Sequence, residues 1–416
     1  MTYNQAIEII NSKIFCKKKP NFSEILKVLE KFGNPQNKLK YVHIAGTNGK
    51  GTTSSYVASV LKKANYKVGL FTSPFIIKFT ERFKINDTEI SEKELIEEVE
   101  LIEQIIGNNY ELSFFEYITV IAFNWFSKQN CDIVVLEVGL GGKLDSTNII
   151  EKSLVSAICT IGFDHTEMLG NTLSAIAEQK AGIIKQNGDV VLYPSLEKEA
   201  FLSIEKIAKI QNTNIKIASN NIEIIEEKIG YSKCKIDNHK VDIPFTGYHQ
   251  ILNCSLALSI IEKLVEKGFD ISEENIKAGI KNAKLNGRIE IISTNPLIIL
   301  DGGHNSECAL ALRKTIEKHL QDKKITAVIG MSSDKDYNEY LKILSPCFGK
   351  IIATKPISHR ALDEKILSKT AEKYCQKVVT QANLQKAIEL AISDENEVKI
   401  ICGSLYLVGD VLAYFA

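Results

Sequence analysis

Residues 41–53 read YVHIAGTNGKGTT and run straight into SSYVASVLKKA. The apolar Val42, Ile44 and Ala45 have the character of the end of a buried strand, Gly46, Asn48, Gly49, Lys50 and Gly51 make a glycine-rich turn, and the continuation reads as a helix. Strand, glycine turn and helix together form a phosphate cradle. Glycine lets backbone N–H groups turn inward at φ values other residues avoid, and a helix N-terminus adds partial positive charge. Lys50 reaches phosphate oxygens, and Thr52 or Thr53 offers a hydroxyl. The spacing departs from the usual nucleotide turn, where a glycine stands in the place of Ile44 and Ser or Thr follows Gly-Lys directly. Here Gly51 intervenes, so the turn alone predicts phosphate binding and leaves the nucleotide open.

A chain of 416 residues predicts two or three domains at about 150 residues each. Lys+Arg and Asp+Glu are both 51, so nothing in the charge balance points to nucleic acid or an acidic membrane. The cysteines, Cys16, Cys131, Cys159, Cys234, Cys254, Cys308, Cys347, Cys375 and Cys402, are scattered, odd in number and without zinc-site spacing, which favours a reducing cytoplasm. MTYNQAIEIINSKIF reads as an amphipathic helix rather than a secretory leader, and the most apolar run, ITVIAFNWF, is too short to span a bilayer.

Along the chain, helices are expected at Gln5–Ile10 and Phe22–Phe32, then a strand at Lys67–Phe71 and an ordered loop after Thr72-Ser73-Pro74. Helices Ser91–Ile106 and Ser113–Lys128 precede DIVVLEV (Asp132–Val138), a run typical of the middle of a parallel sheet, with Glu137 near its end. After GLGGKLDSTN comes the strand Leu154–Ile161, ending in Gly162-Phe163-Asp164-His165, and a helix over Asn171–Ile184 that carries Lys180. Strand, helix and strand follow at Asp189–Tyr193, Leu196–Gln211 and Asn214–Ala218, hairpins at the sheet's edge over Asn221–Phe245, and helices at 249–268 and Ser272–Lys281. Asn286-Gly287-Arg288 and the Ser293-Thr294-Asn295-Pro296 break mark a junction, beyond which strand and helix alternate to Cys402. The expected class is α/β in two domains: a P-loop-type, mostly parallel phosphate-binding domain over residues 1–286 and a Rossmann-like domain over residues 287–416, of which the resemblance given below makes the first an ATPase domain.

Open parallel sheets bind ligands at the carboxyl ends of their strands, which places Glu137, Asp164 and His165 on the same rim as the phosphate turn. A carboxylate beside bound phosphates suits Mg2+, which prefers hard oxygen donors and keeps several waters. Each residue also has a plainer reading: Glu137 as a loop cap, Asp164 as a turn residue, His165 as a structural histidine, Lys180 as a solvated helix lysine. Asp301-Gly302-Gly303-His304-Asn305 ends the first strong strand of the second domain; it is either a further part of the site or simply the turn that caps the next helix.

Taken together, HIAGTNGKGTT, FTSPFIIKFTERFKIN, FFEYITVIAF, LEVGLGGKLDSTN, TIGFDHTEMLGNTLSAIAEQKAGIIK, GYHQILNCSLAL, NGRIE, LDGGHN and GSLYLVGDV resemble, in order, the folylpolyglutamate synthase and dihydrofolate synthase family, relatives of the Mur ligases. The resemblance accounts for Gly51, since the family's turn reads Gly-Lys-Gly-Ser/Thr. It implies that Gly46, Thr47, Asn48, Gly49, Lys50, Gly51 and Thr52 hold the ATP phosphates, with Lys50 on the γ-phosphate. It also implies two Mg2+ ions, one on Ser73 and Glu137 and one on His165 and Glu137, and a carbamate on Lys180. Gln250 and Asn253 would lie near adenine, Arg288 near the phosphates, Asp301 at the ribose and His304 by the phosphate and incoming amino acid. Phe75 and Arg82 would contact the folate.

Gln179, Lys143, Asn286, Gly303 and Ser306 depart from the family's usual residues without removing a metal or phosphate group. Lys143 keeps a charge where arginine is usual but loses its bidentate fork. The implied reaction is amide ligation: a folate or dihydropteroate carboxylate attacks the γ-phosphate of ATP, and the amine of L-glutamate displaces phosphate from the acyl phosphate. Domain closure would keep water from that intermediate. The family also leans towards a monomer. The residues leave two other readings open, a Mur-type ligase acting on another carboxylate and a nucleotide-dependent switch ATPase.

Overall fold

The computed structural model describes residues 1–14, 21–107, 109–358 and 360–415; Cys16 lies outside the described residues. Eight strands, β1 (Tyr41–Ala45), β2 (Val68–Phe71), β3 (Phe83–Ile85), β4 (Thr88–Glu89), β5 (Ile133–Glu137), β6 (Val155–Ile158), β7 (Asp189–Leu192) and β8 (Asn214–Ile217), form one sheet in the order β4-β3-β2-β5-β1-β6-β7-β8. β1 lies between β5 and β6, parallel to both, and every one of its residues is buried. Neighbours from distant parts of the chain meet on either side of β1, so its carboxyl end opens at a point where the strand order reverses, the usual place for a ligand crevice.

Helices cover the sheet where the apolar periodicity places them. The helix Phe114–Lys128 is almost wholly buried and begins with a reciprocal cap: Ser113 N–H donates to Glu116 Oε2 (2.7 Å) and Glu116 N–H to Ser113 Oγ (3.4 Å). Its Phe123 ring meets Tyr41 of β1 edge-on at 5.8 Å between centroids. The helix that follows the phosphate turn, Lys50–Lys63, packs on Glu273–Lys281 so closely that a Cβ at Gly279 would run into Val60. Ser59 Oγ completes the contact by donating to Gly279 O at 2.7 Å.

Two expectations for the first half are corrected. The segment after Thr72 is not only loop: it holds a short 3-10 turn (Phe79–Arg82), and it extends the sheet through β3, antiparallel to β2, and β4, antiparallel to β3. The residues read as hairpins at the sheet's edge form a separate sheet, β9 (Ile222–Lys228), β10 (Tyr231–Ile236) and β11 (His239–Ile243), in the order β11-β10-β9. Tight turns such as the one at Gly230 (φ 83°) pair each strand with its sequence neighbour, which leaves β8 as the edge of the large sheet.

A third sheet runs β12 (Arg288–Thr294), β13 (Leu297–Asp301), β14 (Ile325–Ile329), β15 (Lys350–Ala353), β16 (Val378–Thr380) and β17 (Val398–Cys402), in the order β12-β13-β17-β14-β15-β16. All its pairings are parallel except β12 with β13. Residues 295 and 296, expected to mark the junction, are instead the turn between β12 and β13. The helix Leu405–Phe415, not anticipated, closes the chain.

Contacts divide the chain into two compact units. One comprises Met1–Ile222, Ile236–Val241 and Leu252–Ala283, the other Glu223–Lys235, Asp242–Ile251 and Lys284–Ala416. Among the described residues no helix is long and apolar enough to cross a membrane.

Candidate active site

The phosphate turn leaves β1 at Gly46 (φ 152°), where a Cβ would stand 2.5 Å from Cys159 Cβ. Gly49 caps the helix at φ 89°, and a side chain there would strike the Asn253 amide. Both positions therefore require glycine, one for close approach to the residue that follows β6 and one for backbone conformation as well. Hydrogen bonds stitch the turn to that same chain: Thr47 N–H to Thr160 O (2.7 Å), Thr47 Oγ1 to Gly162 O (3.1 Å) and Asn48 N–H to Thr160 Oγ1 (3.0 Å). Lys50, the first helical residue, curls back over the turn, its Nζ donating to Gly46 O (2.9 Å) and Thr47 O (3.3 Å). Thr52 and Thr53 are buried, and Gly51 completes the first turn of the helix.

Glu137 ends β5 with 4% of its surface exposed, and the Ser73 N–H donates to its Oε2 at 3.3 Å. Lys180, also 4% exposed, sits in the helix Leu173–Ala181. Lys50, Glu137 and Lys180 all act electrostatically on the buried Cys159 thiol, whose pKa burial pushes up to about 12. Register sets Glu137 beside Ile44, just before the turn, and the helix that carries Lys180 packs its Gln179 and Lys180 carbonyls against the loop that follows β5. His165 stands in a left-handed conformation (φ 50°) at the head of the short helix Thr166–Leu169, exposed, with Nε2 3.9 Å from Asp164 Oδ1.

No group of three or more His, Cys, Asp and Glu side chains disposed to hold a metal occurs among the described residues. Mg2+ does not need one, because it binds through one or two carboxylates, waters and substrate phosphates. A shielded carboxylate at a strand's carboxyl end, with a serine carrying a hard hydroxyl oxygen bonded to it through its backbone, fits such an ion; the exposed imidazole of His165 suits it less.

Sequence reasoning assigned no individual roles in the loop 139–148 or at His43, yet a buried polar chain runs through them. The Asp145 carboxylate accepts from Leu140 N–H (2.8 Å), Thr147 N–H (3.0 Å) and Thr147 Oγ1 (2.5 Å). Thr147 Oγ1 meets His43 Nε2 at 2.9 Å in the middle of β1. Burial, helped by Lys185, holds the His43 pKa well below its usual value, so the ring is neutral. On the loop's other side Lys143 N–H donates to Gln179 O (2.7 Å) and Asn148 Nδ2 to Gly182 O (3.0 Å). The available signal was a histidine inside an otherwise apolar strand.

Phe75 and Arg82 form a cluster of their own. The Arg82 guanidinium, 6% exposed, lies 5.1 Å from the Phe75 ring centroid, 5.5 Å from Phe79 and 5.6 Å from Phe114. Asn253, implied near adenine, abuts Gly49 of the phosphate turn.

In the second unit, Asp301 ends β13, buried, and burial raises its pKa to about 6 against the opposing pull of Arg288. Gly303 N–H donates to Asp301 Oδ2 at 3.2 Å, and His304 Nδ1 lies 3.2 Å from Gly302 O. Gln250 is buried, and desolvation of the half-buried His249 next to it lowers that ring's pKa to about 4, with Arg288 as the secondary cause.

Known proteins match this chain throughout. The Mur ligase middle domain matches residues 44–261, and the dihydrofolate synthetase C-terminal domain matches residues 288–414. The dihydrofolate synthase/folylpolyglutamate synthase of Bacillus subtilis is 31% identical, over 98% of each chain. The crystal structure of folylpolyglutamate synthase from Thermotoga maritima superposes with a TM-score of 0.86 at 32% identity, over 99% of this chain and 96% of that one. The E. coli FolC protein in complex with DHPP and ADP superposes with a TM-score of 0.89 at 26% identity, over 100% of this chain and 98% of that one. Motifs, fold and these likenesses agree: the chain belongs to the folylpolyglutamate synthase and dihydrofolate synthase family of ATP-dependent ligases.

Proposed function

We propose that this chain joins L-glutamate to the carboxylate of a dihydropteroate or folate through an acyl phosphate, releasing ADP and phosphate. The observation that carries this reading is the phosphate turn, with Lys50 Nζ curled over Gly46 O and Thr47 O and Glu137 on the neighbouring strand, in register with Ile44 just before the turn. The DHPP and ADP bound to the E. coli relative support the substrate class.

The chain's own groups divide the work as follows. Gly46 to Thr52 wrap the phosphates with backbone N–H groups, and Lys50 exchanges its carbonyl partners for the γ-phosphate. Glu137 and Ser73 would hold Mg2+, with His165 and a carbamylated Lys180 as candidates for a second ion. Bound there, the metal would offset phosphate charge and polarise the phosphoryl group under transfer. Lys180 is 4% exposed, and a carbamate on it would turn a cation into an oxygen donor for the metal. Phe75 and Arg82 face the pterin-bearing substrate, Gln250, Asn253, Arg288 and Asp301 serve the nucleotide, and His304 serves the incoming amino acid. Residues 1–286 act as the nucleotide-binding part and 287–416 as the ligase part of a monomer. The free cysteines, with no disulfide among the described residues, favour the cytoplasm.

The test is release of ADP and phosphate from purified protein with ATP and Mg2+, with dihydropteroate or tetrahydrofolate, and with or without glutamate. Release that needs both the pterin carboxylate and glutamate supports the ligase. Release indifferent to both would make the chain a switch ATPase.

A further inference from the structure

Glu137 and Lys180 belong to different elements, and the loop 139–148 is fastened to both. At one end Asp145 Oδ2 accepts the N–H of Leu140, three residues beyond Glu137 on the way out of β5, at 2.8 Å. At the other end Lys143 N–H holds Gln179 O at 2.7 Å, and Asn148 Nδ2 holds Gly182 O at 3.0 Å, either side of Lys180. The loop cannot shift without moving one group relative to the other. Close packing reinforces this: a Cβ at Gly142 would stand 2.8 Å from both Gln179 O and Lys180 O.

What keys the loop is the hydrogen-bond order inside it. An ionised Asp145 can only accept, so Thr147 gives its hydroxyl proton to Asp145 Oδ1 at 2.5 Å. The same hydroxyl oxygen then accepts from His43 Nε2 at 2.9 Å, which assigns the Nε2–H tautomer. His43 Nδ1 has no partner among the described residues, which agrees with this tautomer, because burying an unpaired ring lone pair costs less than burying an unpaired N–H. Donor and acceptor roles therefore run one way, from His43 through Thr147 to Asp145.

We infer that His43 is a positioning residue for the ligation: the chain His43–Thr147–Asp145 fixes the loop 139–148, and through it the spacing of Glu137 from Lys180. The inference rests on the proposed ligase reading. It adds that a side chain in the middle of β1, touching neither nucleotide nor acceptor, governs turnover. A leucine at 43 removes the donor and leaves the Thr147 hydroxyl oxygen with one fewer partner. A glutamine places an amide N–H about where Nε2 stands and restores the chain.

The experiment compares wild type, His43→Leu, His43→Gln and Thr147→Val. It measures kcat and KM for each substrate, ADP affinity by calorimetry, thermal stability, and hydrogen exchange of the peptide covering 138–148. Expected for His43→Leu and Thr147→Val is a kcat lower by about 10- to 100-fold, the usual effect of losing an outer-shell partner. ADP affinity and KM should stay within about twofold, exchange in 138–148 should quicken, and His43→Gln should recover most of the kcat. Folded variants with wild-type kcat would overturn the inference. So would equal loss in His43→Leu and His43→Gln, or failure of both His43→Leu and Thr147→Val to fold, since the chain would then serve folding alone. Wild-type protein that makes no glutamylated product would refute the ligase reading instead, and quickened exchange in the variants would still register the loop's dependence on His43.

Discussion

The Ser73 N–H donates to Glu137 Oε2 across 3.3 Å, tying the segment after β2 to the end of β5. The bond holds the carboxylate in place at the strand's end. Glu137→Gln keeps the shape and the oxygen that Ser73 bonds, but removes the charge. Turnover should fall by at least about 100-fold while Mg2+-free ADP binding is retained. Steady-state rates and calorimetry check this, and a fully active Glu137→Gln would return Glu137 to a loop cap.

Gly46 and Gly49 differ in why they must be glycine. Gly46→Ala drives a methyl group against Cys159 from 2.5 Å, an overpacking fault. Gly49→Ala adds a positive φ of 89° to its clash with Asn253. Each should cost roughly 1–3 kcal/mol of stability and weaken nucleotide binding. Placing Gly49→Ala in an Asn253→Ala background should recover only the steric part, which urea titration of the single and double variants will separate.

Lys180 is shielded, and its helix is held to the loop 139–148 on both sides. Lys180→Ala should lose most activity, and added acetate or another small carboxylate should restore a measurable part by standing in for the carbamate oxygens. Undiminished activity in the variant would make Lys180 an ordinary helix lysine.

The sequence made the phosphate turn legible because everything it needs is local: an apolar strand, glycines at the strained positions and a helix directly after. The same holds for Glu137 and Asp301, each at the end of a buried strand. What stayed hidden depends on partners far away in the chain. His43 looks like one polar residue in YVHIA until Thr147 is brought beside it. β12 was obscured because its only partner is β13, which it meets antiparallel through the Asn295-Pro296 turn. The separate sheet β9–β11 was misplaced because pattern identifies a strand but not its neighbour. The terminal helix Leu405–Phe415 follows Gly403, whose φ of 106° turns the chain out of β17.

Asp301 offers a pH test. Its pKa rises to about 6 on burial, from 3.8, so between those values the folded chain keeps a proton that the unfolded chain has lost. The contribution of this group to stability is complete below pH of about 4 and disappears as pH rises through about 6, a change on the order of 3 kcal/mol. Asp301→Asn should remove this slope, so the variant gains on wild type as pH rises from 4 towards 7. Urea midpoints followed across that range check it, and parallel pH profiles would contradict it.

The most direct measurement follows oxygen rather than rate. With the acceptor's carboxylate labelled with heavy oxygen, attack on the γ-phosphate and displacement by glutamate must leave a carboxylate oxygen on the phosphate released. The account predicts one labelled oxygen in inorganic phosphate for each glutamate joined, with ADP as the other product. Unlabelled phosphate, or AMP and pyrophosphate in place of ADP and phosphate, would contradict it.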